Sequence, residues 1–198
     1  MSRTKTVVDG YVQRFNPVLG VKDRFAVAGD ADFHMASRSF WDWGHTMGMS
    51  RVMIEQCLER ASDDIAAAST VCESPLERAM LPWLVFADYG LQRPARVHMP
   101  KTDAGCQKGD VVIVPQFAFI KYRLDFAVSV WGKWGCRFFA LECDGTAYHD
   151  ADKDAERDRY LSSWNISTFR SHGQQVNRNP EQVASEFAYS IKAWVGER

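Results

Sequence analysis

Hydrophobic positions change their period along this chain, and the changes predict its elements. From Ser50 onward, Ile54, Cys57, Leu58, Ala61 and Ile65 recur at helical spacing, which predicts a helix ending near Ala68. A second helix starts at Ser74-Pro75-Leu76-Glu77, where a capping serine, a proline at the first helical position and a glutamate at the third coincide. It is expected to run to about Tyr89 and stop at Gly90, with a kink or weakened turn at Pro82. Beyond Gly90 the period shortens. Val111 to Val114 is a β-branched run, and Phe117 to Val130 contains alternating segments such as Tyr122, Leu124, Phe126 and Val128. Gly132 and Gly135 flank a turn at Lys133-Trp134, and Cys136 to Cys143 reads as a buried strand. A charged helix over Asp150 to Trp164, a strand over Ile166 to Arg170 and a helix over Pro180 to Trp194 complete the chain. The last carries Val183, Phe187, Ile191 and Trp194 on one face.

The first 48 residues resist this reading, because Gly10, Gly20, Gly29 and Gly44 interrupt them and Phe40, Trp41 and Trp43 cluster without a period. We expect residues 1–70 to form a mostly helical N-terminal extension and 71–198 an α/β domain. The expected order is helix, about three strands, helix, strand, helix. No internal repeat or low-complexity tract is present.

Composition narrows the class. A chain of 198 residues with 46% hydrophobic content can fill a core. No apolar run approaches the ~18 residues a membrane span needs, so the expectation is a cytoplasmic protein without a cleaved signal or membrane partner. Five cysteines without a C-x-x-C pair suggest neither a disulfide framework nor a zinc knuckle. A single zinc held by Cys143, His149 and a distant ligand remains the alternative. The net charge of -1 argues against a protein that coats nucleic acid electrostatically. Its distribution is uneven: residues 1–90 hold 9 Lys/Arg against 12 Asp/Glu, and residues 91–198 hold 15 against 13. Such a mixture suits a metal site beside phosphate contacts, and it equally suits a solvated surface.

Two acids interrupt strand-like runs: Asp125 in Arg123-Leu124-Asp125-Phe126, and Glu142 in Leu141-Glu142-Cys143-Asp144-Gly145. Either one alone reads as a solvent-facing strand residue. Together, carboxylates near strand ends can converge on a hard divalent cation. His149 follows a turn at Gly145, and its imidazole is suited to proton transfer near neutral pH. Arg157 lies three residues from Asp154 on the charged helix. It either makes a surface ion pair there or presents its planar fork to a phosphate.

The ordered set of these fragments resembles the PD-(D/E)xK nuclease superfamily, in the branch similar to the very-short-patch repair endonucleases and the family of small proteins known as DUF559. The resemblance covers Ser74 to Val183. It rests on Ser-Pro-Leu-Glu at 74–77, Gln116, Tyr-Arg-Leu-Asp-Phe at 122–126 and Leu-Glu-Cys-Asp-Gly at 141–145, then on Tyr148-His149, Asp154-Ala-Glu-Arg157, Leu161 and Phe169-Arg170. It implies a restriction-endonuclease-like core, a mixed central sheet flanked by helices, and a metal-dependent endonuclease acting on nucleic acid, DNA by preference.

The resemblance also implies roles. Asp125 and Glu142 would hold Mg2+, with Mn2+ a substitute, and the Cys143 carbonyl could add an oxygen. Glu77 would point at the metal, or would serve only as the third residue of its capping box. His149 would act near the metal. Arg157 would face the scissile phosphate, and Arg170, Gln174 and Arg178 would reach backbone phosphates. The sequence departs from the superfamily where a lysine is expected: the position is Asp144, which could bind a second ion, orient His149 or stabilise the turn. A catalytically inactive module that binds nucleic acid or protein on the same fold is the alternative function. A third reading places the enzyme in a repair, mobile-element, defence or toxin system. Residues 1–70 with Trp41 and Trp43 would then supply a protein-partner or homo-oligomer surface.

Overall fold

The structure, a computed structural model, describes residues 31–100, 109–132, 135–144 and 151–196. Three helices come first: α1 (Ala31–Thr46), α2 (Arg51–Ser69) and α3 (Pro75–Phe86). A five-stranded sheet follows, β1 (Arg96–Val97), β2 (Val111–Phe119), β3 (Tyr122–Gly132), β4 (Gly135–Asp144) and β5 (Ile166–His172). Helix α4 (Ala151–Ser163) links β4 to β5, and α5 (Gly173–Arg178) and α6 (Pro180–Gly196) close the chain.

Spatial order in the sheet equals chain order. The β1–β2 and β4–β5 pairs are parallel, and β2–β3 and β3–β4 are antiparallel. The chain is therefore α/β with a mixed sheet. Parallel neighbours need a crossover rather than a hairpin, and α4 supplies it between β4 and β5.

Alternation along the strands sorts side chains to two faces. Val111, Ile113, Phe126, Val128, Val130, Phe139 and Leu141 join the large core made with α1, α2, α3 and α6. Ala127, Ala140 and Ile166 join a smaller cluster with Leu161 of α4. Helices α1 and α2, within the stretch expected as an extension, share the large core through Phe33, Phe40, Ile54, Leu58 and Ile65. Trp41 and Trp43 are half-buried against that same core.

Local signals act as the sequence suggests at two helix starts. The Ser50 hydroxyl accepts the Met53 N–H, and Ser74 with Glu77 forms a complete capping box. Helix α3 continues through buried Pro82 and stops at Phe86, earlier than expected. Ala87 turns to extended backbone, and the buried Tyr89 hydroxyl donates to the Leu84 carbonyl. The hairpin between β2 and β3 is tighter than the sequence suggests, a two-residue turn at Ile120-Lys121 closed by the Phe119–Tyr122 pair. The Lys133-Trp134 turn expected between β3 and β4 lies outside the described residues.

Candidate active site

The β3–β4 ladder ends at Phe126 opposite Leu141. One step further on each strand come Asp125 and Glu142, so antiparallel pairing makes them cross-strand neighbours. The Cys143 backbone N–H donates to Asp125 Oδ2 at 2.7 Å, tying the acid to the neighbouring strand. On the other side of β4, parallel pairing sets Glu142 beside Arg170 and Asp144 beside His172.

Helices on both sides of the sheet reach this end of it. From α4, the Arg157 guanidinium donates to Glu142 Oε1 at 2.7 Å and to the Arg123 carbonyl at 2.7 Å. From α3, Glu77 is buried at 5% exposure, with its two oxygens accepting the backbone N–H groups of Glu73 and Ser74. Gln116 Nε2 donates to Glu77 Oε2 at 2.6 Å. Gln116 carries φ 52°, a left-handed conformation inside strand β2, between the regular pairs Pro115–Phe126 and Phe117–Leu124. Its own Oε1 is buried and has no hydrogen-bond partner among the described residues.

Burial dominates the electrostatics. Glu142 is 2% exposed, and its pKa is pushed up to about 8 by burial and then by the Asp125 charge. The 2.7 Å pair with Arg157 favours the carboxylate, as does Arg170, but burial and the neighbouring acid outweigh both. Asp125 is raised to about 6, first by burial and then by Glu77 and Asp144, against the pull of the Cys143 N–H and Arg157. The same field reaches the thiols. Burial, then Glu77 and Asp125, push Cys72 up to about 12, and burial and the site acids raise Cys143 as well. These thiols stay protonated at neutral pH.

Arg170 is enclosed by acids. It meets Asp158 at 2.9 Å and Asp144 and Asp154 at 3.4 Å. Glu77, Asp125, Glu142, Asp144, Arg157 and Arg170 are thus gathered at one end of the sheet. Gln174 and Arg178 are exposed on α5. His149 and Tyr148 lie outside the described residues. Gln116, part of the family resemblance but without a role implied by it, links α3 to the sheet through Glu77. Its signal in the sequence is a lone amide inside the apolar run Val111 to Phe117. Asp158, which holds Arg170, had no such signal on a helix rich in charge.

The donors suit a hard cation in kind: they are oxygens, buried or half-buried, and mutually repulsive without a counter-charge. Among the described residues, no group of three or more His, Cys, Asp or Glu is drawn together to hold a metal ion. Magnesium commonly keeps several waters and takes only one or two carboxylates, so a pair such as Asp125 and Glu142 would be enough protein oxygen for it. Compared with protein-family models, with curated proteins and with solved structures, the chain gives no match.

Proposed function

We propose that the chain is a magnesium-dependent endonuclease that hydrolyses nucleic-acid phosphodiesters, DNA by the resemblance, on a restriction-endonuclease-like core. The observation that carries this reading is the pair of neighbouring acids, half-buried Asp125 and buried Glu142, whose charged forms are disfavoured where they stand. Two acids side by side destabilise a fold and bring it no packing gain, so a use for their charge is the better account. When bound there, the metal lowers the pKa of an attacking water and offsets charge growing on the phosphate.

The chain's own residues supply the rest. Cys143 N–H fixes the rotation of Asp125, and Gln116 fixes Glu77, so that the oxygens are oriented before substrate arrives. Arg157 holds Glu142 at rest, and its fork can carry a phosphate oxygen once the acid has another partner. Arg170, enclosed by three aspartates, positions Asp144 and the start of α4 rather than reaching for a phosphate. His149 is the candidate for passing a proton to the leaving oxygen. No described helix is long and apolar enough to cross a membrane, and the proposed setting is the cytoplasm.

Incubation with supercoiled plasmid tests the reading. Nicking should need magnesium or manganese, stop with EDTA, and fall on the order of 100-fold or more in Asp125→Ala. Undiminished cutting by Asp125→Ala removes the assignment. One observation favours the non-catalytic alternative: Glu142 already has Arg157 as a partner, and the lysine position is an aspartate bridged to Arg170. Calorimetric titration with magnesium separates the two readings, because a simple binding module has no reason to take up an ion and lose that uptake in Glu142→Ala.

A further inference from the structure

Next to the acid pair, the far end of α4 and the β2–β3 hairpin present exposed and half-buried aromatic and cationic side chains, of which only Arg157 has a role in the steps above. Arg157, Tyr160 and Trp164 recur at three and four residues, one face of α4 and its exit. At a rise of ~1.5 Å per residue, they lead about 10 Å outward from Glu142. Trp164 is 56% exposed and meets Phe119 edge-to-face at 5.9 Å. Tyr122 meets Tyr160 at 5.5 Å, and Lys121 lies 5.0 Å and 5.1 Å from their ring centres. Arg157 stands 5.7 Å from the Tyr122 ring, which joins this surface to the acid pair.

The hairpin tip adds an independent sign. Ile120 is 64% exposed with φ 53°, at the first central position of a two-residue turn that ordinarily takes glycine. A β-branched residue at positive φ is strained, and an exposed one has no burial to offset the strain.

We infer that Trp164, the Tyr122–Tyr160 pair and the Ile120-Lys121 tip form a stacking platform for the unpaired bases of single-stranded DNA, leading its backbone to the acid pair. Every base has a π face, so aromatic rings bind a single strand without regard to sequence, while cations beside them track the phosphates. Lys121, Arg123 and Arg157 are those cations. Lys121 meets Glu156 only at 3.7 Å, and Arg123 bridges Glu73 in an exposed pair. Exposed pairs of this kind are weak, so a phosphate can take their place. In a duplex the base faces are hidden by their neighbours, and the platform has nothing to stack on.

The inference rests on the nuclease reading for the identity of its ligand, but its test does not depend on cleavage. Binding of a fluorescent 20-residue oligothymidylate and of a 20-base-pair duplex is measured by anisotropy in EDTA, for the whole chain and for Trp164→Ala, Ile120→Gly and Lys121→Ala. The expected result is tighter binding of the single strand, weakened about 5- to 150-fold by Trp164→Ala, the equivalent of ~1–3 kcal/mol for one stacked base. Duplex binding should not change. Ile120→Gly should weaken single-strand binding while raising thermal stability, and Lys121→Ala should flatten the salt dependence. Equal affinity of parent and Trp164→Ala for the single strand, with both folded by circular dichroism, overturns the platform, and so does undetectable binding of the oligothymidylate. A platform that binds with no nicking activity in magnesium would end the nuclease reading alone. Nicking in magnesium with no effect of Trp164→Ala on oligothymidylate binding would end the platform alone.

Discussion

Within strand β4, Phe139 and Leu141 go to one face of the sheet and Ala140 and Glu142 to the other, and the two faces are built on different terms. The first belongs to a core shared with α1, α2, α3, α5 and α6, with residues such as Phe126, Val128 and Leu84 almost wholly removed from water. Burial there at ~25 cal/mol per Å2 is the main source of stability. Among the described residues the second face is covered by α4, with a cluster of Leu124, Ala127, Ala140, Leu161 and Ile166, and its end is given over to acids and arginines. Charge on that end opposes folding. One face makes the fold, and the other uses stability supplied elsewhere to hold groups in states they would not choose in water.

Core truncation should break this contrast most strongly. Phe126→Ala is expected to remove ~3–5 kcal/mol, read by urea denaturation, and a loss near zero would show that the large face is not the stabilising one. Arg157→Met comes next. It leaves Glu142 without its cation, so a loss of ~1–3 kcal/mol is expected at pH 9. At pH 5 the loss should shrink, because Glu142 is then protonated and needs no partner.

The pH profile sharpens the same point. Both acids have folded pKa values above their ordinary 3.8 and 4.5, at about 6 for Asp125 and about 8 for Glu142. The folded state therefore binds protons more tightly than the unfolded one, and that stabilisation is complete below about pH 4 and lost as pH rises through 6 and 8. Scanning calorimetry in EDTA should show these groups lowering Tm by several degrees between pH 5 and 9. Magnesium should restore Tm at the alkaline end, and Glu142→Gln should flatten the profile and abolish the magnesium response. A Tm that rises with pH across this window would contradict the raised pKa values of the acid pair. The smallest effect belongs to the hairpin tip, where Ile120→Gly should gain ~0.5–1 kcal/mol by removing positive-φ strain, measured by the same denaturation.

Legibility in the sequence followed the range of the interaction. The capping box at Ser74 and Glu77 and the helix start at Ser50 are local, and both read correctly from neighbouring residues. So did the strand over Cys136 to Cys143, found as Gly135–Asp144. Helix α1 was hidden, although Phe33, Ala36, Phe40 and Gly44 keep a helical period. Gly44 lowers helix propensity, and Trp41 and Trp43 fall off the buried stripe yet still pack against the core. The Ile120-Lys121 turn carries none of the glycine or asparagine that marks a hairpin. The Glu142–Arg157 and Arg170–Asp158 partnerships join residues 12 to 15 positions apart, and no local spacing announces them.

Residue identity alone determined that Asp125 and Glu142 stand inside strand-like runs, that Ser74 opens a helix, and that hydrophobic content suffices for a core, since each depends on composition or on contacts within a turn or two. Only the tertiary structure decided that the two acids become neighbours, that Gln116 ties Glu77 to the sheet, and that Arg157 faces Glu142. Those relations come from strand register and from helices docking on opposite faces of the sheet. Each is set by the summed burial of many distant side chains rather than by any short stretch of chain.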